Sequence, residues 1–483
     1  AGGGSDILQA LYHKTQKIDG VELNPQMLEI VDKRYGDFTG NIYSLDNVNI
    51  HISEAREFII STKERYDLIQ ISMVDSSGAS SSGLQSIGEN YLYTVESIQD
   101  AINTLAPNGY LSISRWIKLP PRDTFKLFAM AVESLEKQGV KEAQKQLMLI
   151  RGWQTTTLII KNGLFSKDEI QKLAGFSDKR FFDRVYYYGI QSSEANHFNI
   201  LEKPFVYNGI KAILQDRENF FESYKFDIRP ASDNKPYFDH YFKWETLSEI
   251  FSLKDQGGLH LLEWGYLVLV ASLLQAIIAS IVLILLPLFK YKKVAKKDPL
   301  IYFFSLGVGF LFIEIYFIQK FILFLGHPII TIGVVLSSFL IFAGLGSGYS
   351  KHLSALKGFR TTASYGVLGI FIFGGLYALT LDTLFGYLIT QSQILKIMFC
   401  IFFIAPLAFA MGIPFPMGLS QLANDSPSLI PWGWGVNGCA SVISAIGASL
   451  VSIHFGFEAV IIMALGCYMI AFFFFPEKHL SNN

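Results

Sequence analysis

The chain has 483 residues, 51% of them hydrophobic and only 17% charged, with a mean hydropathy of +0.32. Soluble domains carry about 25% charged residues, so the composition argues against a disordered chain, a basic nucleic-acid binder and a single soluble globule. Its 40 basic and 41 acidic residues leave a net charge of -1, which steers neither anions nor cations.

Up to residue 262, charged and apolar positions alternate as in a soluble fold. Periodicity predicts a helix over Asp6–Lys17, a strand at Ile18–Leu23, a helix over Pro25–Arg34 and a strand at Val48–Ile52. A helix near Glu54–Lys63, a strand at Tyr66–Ser72 and a Ser/Gly-rich loop from Asp75 to Gly88 follow. A helix over Val95–Leu105 then leads through the Pro107-Asn108-Gly109 turn into the strand Tyr110–Ser114. Alternating strands and helices predict an α/β fold, a parallel sheet with helices on both faces. Such sheets bind ligands at the carboxyl ends of their strands.

Those strand ends carry a pattern. Gly2-Gly3-Gly4 opens the first helix, Glu22 ends the next strand, Glu54 follows the third and Asp75 the fourth. Glycines let backbone approach a ligand, and an acid at the second strand end can take both ribose hydroxyls of a nucleoside. A flexible glycine stretch beside a surface glutamate is the plainer alternative. An NAD site fits the first two features, whereas the later acids suit a nucleoside with a cationic tail. A glycine loop of this kind should follow a strand, yet only Ala1 precedes it, so a fragment lacking its first strand is expected.

Taken together, G-G-G-S-D-I-L, D-G-V-E-L-N-P, S-E-A-R-E-F and Y-D-L-I-Q resemble the spermidine synthase-like branch of class I S-adenosylmethionine-dependent transferases. E-N-Y-L-Y-T-V-E-S and L-A-P-N-G-Y-L-S-I-S-R-W add to the likeness, and R-P-A-S-D-N-K-P-Y-F resembles an element of membrane-fused members. The resemblance implies a Rossmann-like cofactor-binding domain over residues 1–160, an α/β extension and linker over 161–262, and a membrane domain over 263–477. It implies S-adenosylmethionine, or its decarboxylated form, as donor. Gly2, Gly3, Gly4 and Asp6 would line it, Glu22 would hold its ribose, and Glu54 and Ala55 would sit near the adenine. Asp75 would face the reaction, with Glu89, Tyr91 and Tyr93 lining a cationic amine acceptor. Aminopropyltransferases carry D-x-x-D where this chain reads Ser72-Met73-Val74-Asp75, so the base expected for the attacking amine is replaced by Ser72. Glu89 and Glu96 also read as solvated or helix-start acids, and Arg115-Trp116 as a salt bridge and a packing side chain.

Beyond residue 262 the character changes. No charged residue occurs from Gly265 to Phe289, longer than the roughly 20 apolar residues a span requires. Further apolar stretches at about 300–325, 329–346, 363–390, 394–418, 431–453 and 456–475 predict an all-α, multi-pass membrane domain of about seven helices. Glu314 inside the second stretch is costly at that depth, with Gln319 or His327 as partners. Lys320 lies six residues on, on another face of the helix. Pro414 and Pro416 should break the fifth stretch, and Asn437 is the polar residue to watch in the sixth. Small residues at Ala440, Ser444, Ala448 and Ser452 suit close helix packing or homo-oligomerisation. Cys400, Cys439 and Cys467 all fall in these stretches, and no His pair has metal-ligand spacing, so no metal is expected.

Topology sets a conflict. Lys290, Lys292, Lys293, Lys296 and Lys297 crowd one loop, with Lys351, Lys357 and Arg360 in another, and the positive-inside rule puts both in the cytoplasm. A single first span would then leave the soluble half outside, away from S-adenosylmethionine. Motifs outweigh charge counts here, and a cytoplasmic soluble half is expected. Two function classes follow. One is a membrane-tethered transferase that moves a methyl or aminopropyl group to an amine or other acceptor. The alternative is a multi-pass transporter or scaffold whose transferase-like domain only senses a ligand.

Overall fold

The computed structural model describes residues 1–73, 87–253, 255, 261–291 and 297–476, and divides into two compact units, Ala1–Tyr266 and Leu267–Asn483. The first unit is α/β. In chain order come α1 (Ser5–Tyr12), β1 (Ile18–Glu22), α2 (Pro25–Leu28, prolonged by a π turn), α3 (Gly36–Thr39), β2 (Val48–Ile52), α4 (Ala55–Ser61) and β3 (Tyr66–Ile71). After them stand α5 (Val95–Thr104), β4 (Leu105–Trp116), α6 (Asp123–Lys137), β5 (Leu147–Arg151), β6 (Thr155–Lys161), α7 (Lys167–Arg180), β7 (Asp183–Tyr186), α8 (Phe205–Ser223) and α9 (Leu247–Ser252).

Local chemistry sets several helix starts. Thr94 caps α5 by accepting from the Ser97 amide, and Ser166 and Glu169 close a capping box on α7. Each satisfies donors that the first helical turn leaves without a partner.

The sheet differs from the all-parallel expectation. β1 and β2 pair in parallel as a two-stranded sheet, and the other five run β3-β4-β6-β5-β7. Only β3 and β4 are parallel there, joined by α5 as a crossover. β4–β6, β5–β6 and β5–β7 are antiparallel. The physical reason is connection length: three residues, Gly152-Trp153-Gln154, separate β5 from β6, enough for a hairpin and far too few for a crossover. β4 also begins at Leu105 rather than Tyr110, so the predicted turn at Pro107-Asn108-Gly109 is an irregularity within the strand.

The larger core lies between this sheet and α5, α6 and α8. Leu111, Ile113, Leu158 and Ile160 from the strands meet Ile98, Phe128 and Ile210. α6 is buried on nearly all sides because sheet and helices both cover it. A smaller core of Ile7, Ile18, Val31, Ile42, Tyr43 and Val48 lies over β1 and β2. Polar side chains link the two sheets: the Tyr66 hydroxyl donates to Asp19 (3.1 Å), and Lys17 pairs with Glu64 (3.3 Å).

The second unit is all helical. Its elements are α10 (Trp264–Ser280, continued through a π turn to Tyr291), α11 (Asp298–Leu325), α12 (Pro328–Lys357), α13 (Phe359–Leu388), α14 (Gln393–Met411), α15 (Pro414–Asp425), α16 (Ile430–Phe455) and α17 (Phe457–Phe473). Among the described residues six spans are long and apolar enough to cross a membrane, with α14 and α15 forming one of them. The seventh predicted stretch, α17, is a shorter apolar helix of 17 residues. The chain is a multi-pass integral membrane protein. α14 ends at Met411 and α15 starts at Pro414, the break that Pro414 predicts, since proline has no amide to continue the ladder.

α11 is the centre of this bundle. In its most apolar window 61% of residues are buried, against 6% for the span beginning at Trp264. α16 and α17 pack most extensively on it. α12 and α14 cross closely enough that Gly346 meets the Phe409 carbonyl and Gly412 meets the Ala343 carbonyl, leaving no room for a side chain at either glycine. Ala440, Ser444, Ala448 and Ser452 of α16 are all buried, and Asn437 donates to the Phe303 carbonyl at 3.0 Å.

Candidate functional site

The glycine loop and Glu22 come together. Gly2 and Gly4 both adopt positive φ, +54° and +89°, and a Cβ at Gly4 would overlap the Ile42 side chain. The Gly2 amide donates to Glu22 Oε2 (2.8 Å) while the Asn24 amide donates to Oε1 (3.0 Å). The Tyr43 hydroxyl closes the turn on the Gly2 carbonyl at 2.6 Å. Burial alone would raise the Glu22 pKa, but the Asn24 and Gly2 amides outweigh it and hold the carboxyl below the usual range. An ionised acid therefore stands at the carboxyl end of β1 beside open backbone. Gly3 makes no close approach to other side chains.

Glu54 has a structural task. Its Oε2 accepts from the Glu57 amide (2.9 Å) and caps α4, of which Ala55 is the first residue. The Ser53 amide donates to the Glu22 carbonyl (3.1 Å), so the ends of β1 and β2 are tied. At the end of β3, Gln70 joins Asp6 and Ser72, donating to Asp6 Oδ1 at 3.0 Å and Ser72 Oγ at 3.2 Å. Asp75 lies outside the described residues.

The predicted acceptor residues divide between two settings. Glu89 is partly buried and accepts from the Tyr237 hydroxyl at 3.3 Å. Burial raises its pKa, partly offset by that hydrogen bond. The Tyr91 phenol is raised well above its ordinary value, first by burial and then by the Glu89 charge. Tyr93 is fully buried against Phe238, with the Arg115 guanidinium 4.6 Å from its ring centroid. It packs rather than lines an open surface.

Two ion networks hold this region. Arg56 of α4, 4% exposed, grips Asp233 with both terminal nitrogens (2.5 and 2.7 Å) and reaches Asp100 at 3.1 Å. Thr94 donates to the same Asp233 carboxylate at 2.8 Å, and the Asp233 amide donates to Glu96 at 2.9 Å. Burial opposes the charged guanidinium, but Asp233 and Asp100 outweigh it and keep Arg56 protonated. Glu96 is thus part of a network rather than a solvated acid. Further along, Arg115 pairs with Asp239 (2.9 Å) and Asp123 (3.6 Å), the structural salt bridge foreseen for it. Lys126, fully enclosed, donates to the carbonyls of Tyr237 (3.1 Å) and His240 (2.8 Å), and burial lowers its pKa to about 8.

Arg56, Asp100, Asp233, Asp239 and Lys126 escaped the sequence reading as individual side chains. The motifs containing Arg56 and Asp233 were visible, but 177 residues separate the two partners. Chemically, the arrangement offers an ionised acid on a glycine turn and a partly buried carboxyl beside two phenols. Among the described residues no group of three His, Cys, Asp or Glu side chains is placed to hold a metal ion. In comparison with known proteins, no family model matches the chain and no curated sequence matches it.

Proposed function

We propose that the chain is a membrane-tethered group transferase that uses S-adenosylmethionine or its decarboxylated form and acts on an amine or other acceptor. The observation that carries this reading is Glu22, held ionised at the carboxyl end of β1 by the Asn24 amide and the Gly2 amide of the glycine turn. Oε1 accepts from the Asn24 amide and Oε2 from the Gly2 amide, with the Ala1 ammonium 3.7 Å from Oε2, and the carboxylate has capacity left for a ribose hydroxyl. The donor supplies an electrophilic carbon on a positively charged sulfur. The chain's own residues would orient it through the Gly2–Gly4 backbone and Glu22, with Asp6, two residues past Gly4, joined through Gln70 to Ser72 at the end of β3. Glu89, flanked by the Tyr91 and Tyr237 phenols, is the carboxylate that would attract a cationic acceptor and receive its proton. Ser72 stands where an aspartate base is expected in aminopropyltransferases, which favours methyl over aminopropyl transfer. The same residue leaves room for the second reading, a transporter or scaffold whose soluble half binds the nucleoside without turnover.

Calorimetry on the full chain in detergent micelles with S-adenosylmethionine and its decarboxylated form tests the reading. We expect one of them to bind, and Glu22→Ala to weaken it by about tenfold or more, as loss of a charged hydrogen bond implies. Failure of both nucleosides to bind overturns it. Binding with no product from any amine acceptor transfers the case to the sensing reading. The donor's location requires a cytoplasmic soluble half, against the basic loops, and a reporter fused to the C-terminus reads that side directly.

A further inference from the structure

Glu314 lies in the middle of α11, the most enclosed helix of the membrane half. It is 8% exposed, and among the described residues it accepts no hydrogen bond and joins no ion pair. Lys320 on the same helix is treated differently: it pairs with Asp382 of α13 at 2.9 and 3.0 Å. Lys320 is matched by a carboxylate, whereas Glu314 is matched by no cation among the described residues. A carboxylate enclosed in apolar surroundings is too costly to leave bare, so its charge must be neutralised by something that binds it.

The neighbouring helix presents small side chains at that level. Phe303 of α11 meets Gly433 of α16, Gly307 meets Asn437 and Ala440, and Phe312 lies 3.9 Å from where a side chain on Gly447 would begin. This parallel register puts Glu314 level with Gly447 and Ala448, where α16 carries its smallest side chains. Glu314 also follows Gly307 by seven residues, about two helical turns, and so shares the face that Gly307 turns to α16.

The charged and titratable groups on the packed helices are otherwise engaged or distant in sequence from this level. On α17, Tyr468 stands within electrostatic reach of Glu314, and Cys467 and Glu458 complete that helix's titratable groups. α16 offers Cys439, bonded to the Ser280 carbonyl, and His454. α14 offers Lys396, over the Phe324 ring, and Cys400. α12 has no titratable group before Tyr349, and α15 none before Asp425. None of these bonds Glu314.

We propose that Glu314 is the binding carboxyl of an intramembrane site for a unit positive charge, either a proton or a monovalent cation exchanged with water. This site is independent of the transferase reading. Dicyclohexylcarbodiimide, which modifies protonated carboxyls in apolar surroundings, tests it on the full chain in lipid nanodiscs. Mass spectrometry of the Glu314 peptide reads the extent of modification from acidic to alkaline pH, in choline, sodium or 1,4-diaminobutane chloride. We expect modification at Glu314 that falls several-fold as pH rises and is absent in Glu314→Gln. Further protection by sodium or the diamine identifies a cation as occupant, and pH dependence alone identifies a proton. No modification at any pH, or modification equal at every pH and in every salt, overturns the site. Because the readout is made on the unaltered chain, it stands even if Glu314→Gln fails to fold.

Discussion

Replacing Asp233 by alanine should release the segment around Arg229–Phe238 from α5 while leaving the sheet intact. Asp233 is 23% exposed on its side chain and Arg56 only 4%, so the pair is largely enclosed. Breaking a buried pair by removing one partner costs about 3–5 kcal/mol. Asp100 still holds Arg56, and Asp233 is partly wet, which puts the expected loss at the lower end, about 3 kcal/mol. That corresponds to roughly 150-fold in an opening equilibrium at 1.36 kcal/mol per factor of ten. Hydrogen exchange on the full chain reads it at two amides: Asn90, bonded to the Pro236 carbonyl (2.7 Å), and Val95, bonded to the Ala231 carbonyl (2.9 Å). Both should lose protection by about two orders of magnitude, while the Leu158 amide in β6 keeps its own. Arg56→Met combined with Asp233→Ala should cost less than the sum of the two, because the double variant loses the Arg56–Asp233 contact only once, although Asp100 is then left without its guanidinium. Unchanged protection at Asn90 and Val95 in Asp233→Ala would refute the role of this network in holding the Arg229–Phe238 segment.

Other outcomes follow from the same geometry. Gly4→Ala should destabilise the first unit by about 2–3 kcal/mol through positive φ and overlap with Ile42, against about 1 kcal/mol for Gly2→Ala, whose side chain meets open space. Denaturant unfolding that ranks the two equally would contradict this. Burial raises the Glu89 pKa, so the folded state holds its proton to higher pH than the unfolded chain does. Wild-type stability should therefore fall relative to Glu89→Gln as pH rises through that raised value, and the two should converge below about 4.3. A gap that stays constant with pH would show that Glu89 is not the titrating group. Lys126 has the opposite sign. Its folded pKa of about 8 lies below the ordinary 10.5, so the unfolded chain binds more protons in between. Wild type should gain stability from about pH 8 to 10.5, a slope that Lys126→Met lacks in pH-dependent melting.

The amino-acid sequence alone determined the division into an α/β half and a membrane half, because both are written in local patterns. Uncharged runs longer than a bilayer is thick read as spans wherever they sit. Strand–helix alternation likewise placed β1, β2 and β3 within a residue of where they lie. Gly2 and Glu22 were legible as separate candidates for one ligand site, whereas the hydrogen bond between them is a product of the fold. Sheet direction was only half legible. The hairpin between β5 and β6 follows from three intervening residues, but the placement of β6 beside β4 brings Trp116 opposite Thr155 across a stretch no local pattern reports.

Tertiary structure decided the partners of the charges. Arg56 with Asp233, Arg115 with Asp239 and Lys320 with Asp382 are contacts between residues 177, 124 and 62 positions apart. Sequence periodicity carries no term for such pairs, since burial of a charge is set by what the fold packs over it. For the same reason Glu54 turned from a strand-end acid into a helix cap, and Glu314 was left enclosed and unmatched while Lys320 found Asp382. Local sequence settles which residues can be inside; only the packed helices and sheets settle which charges meet there.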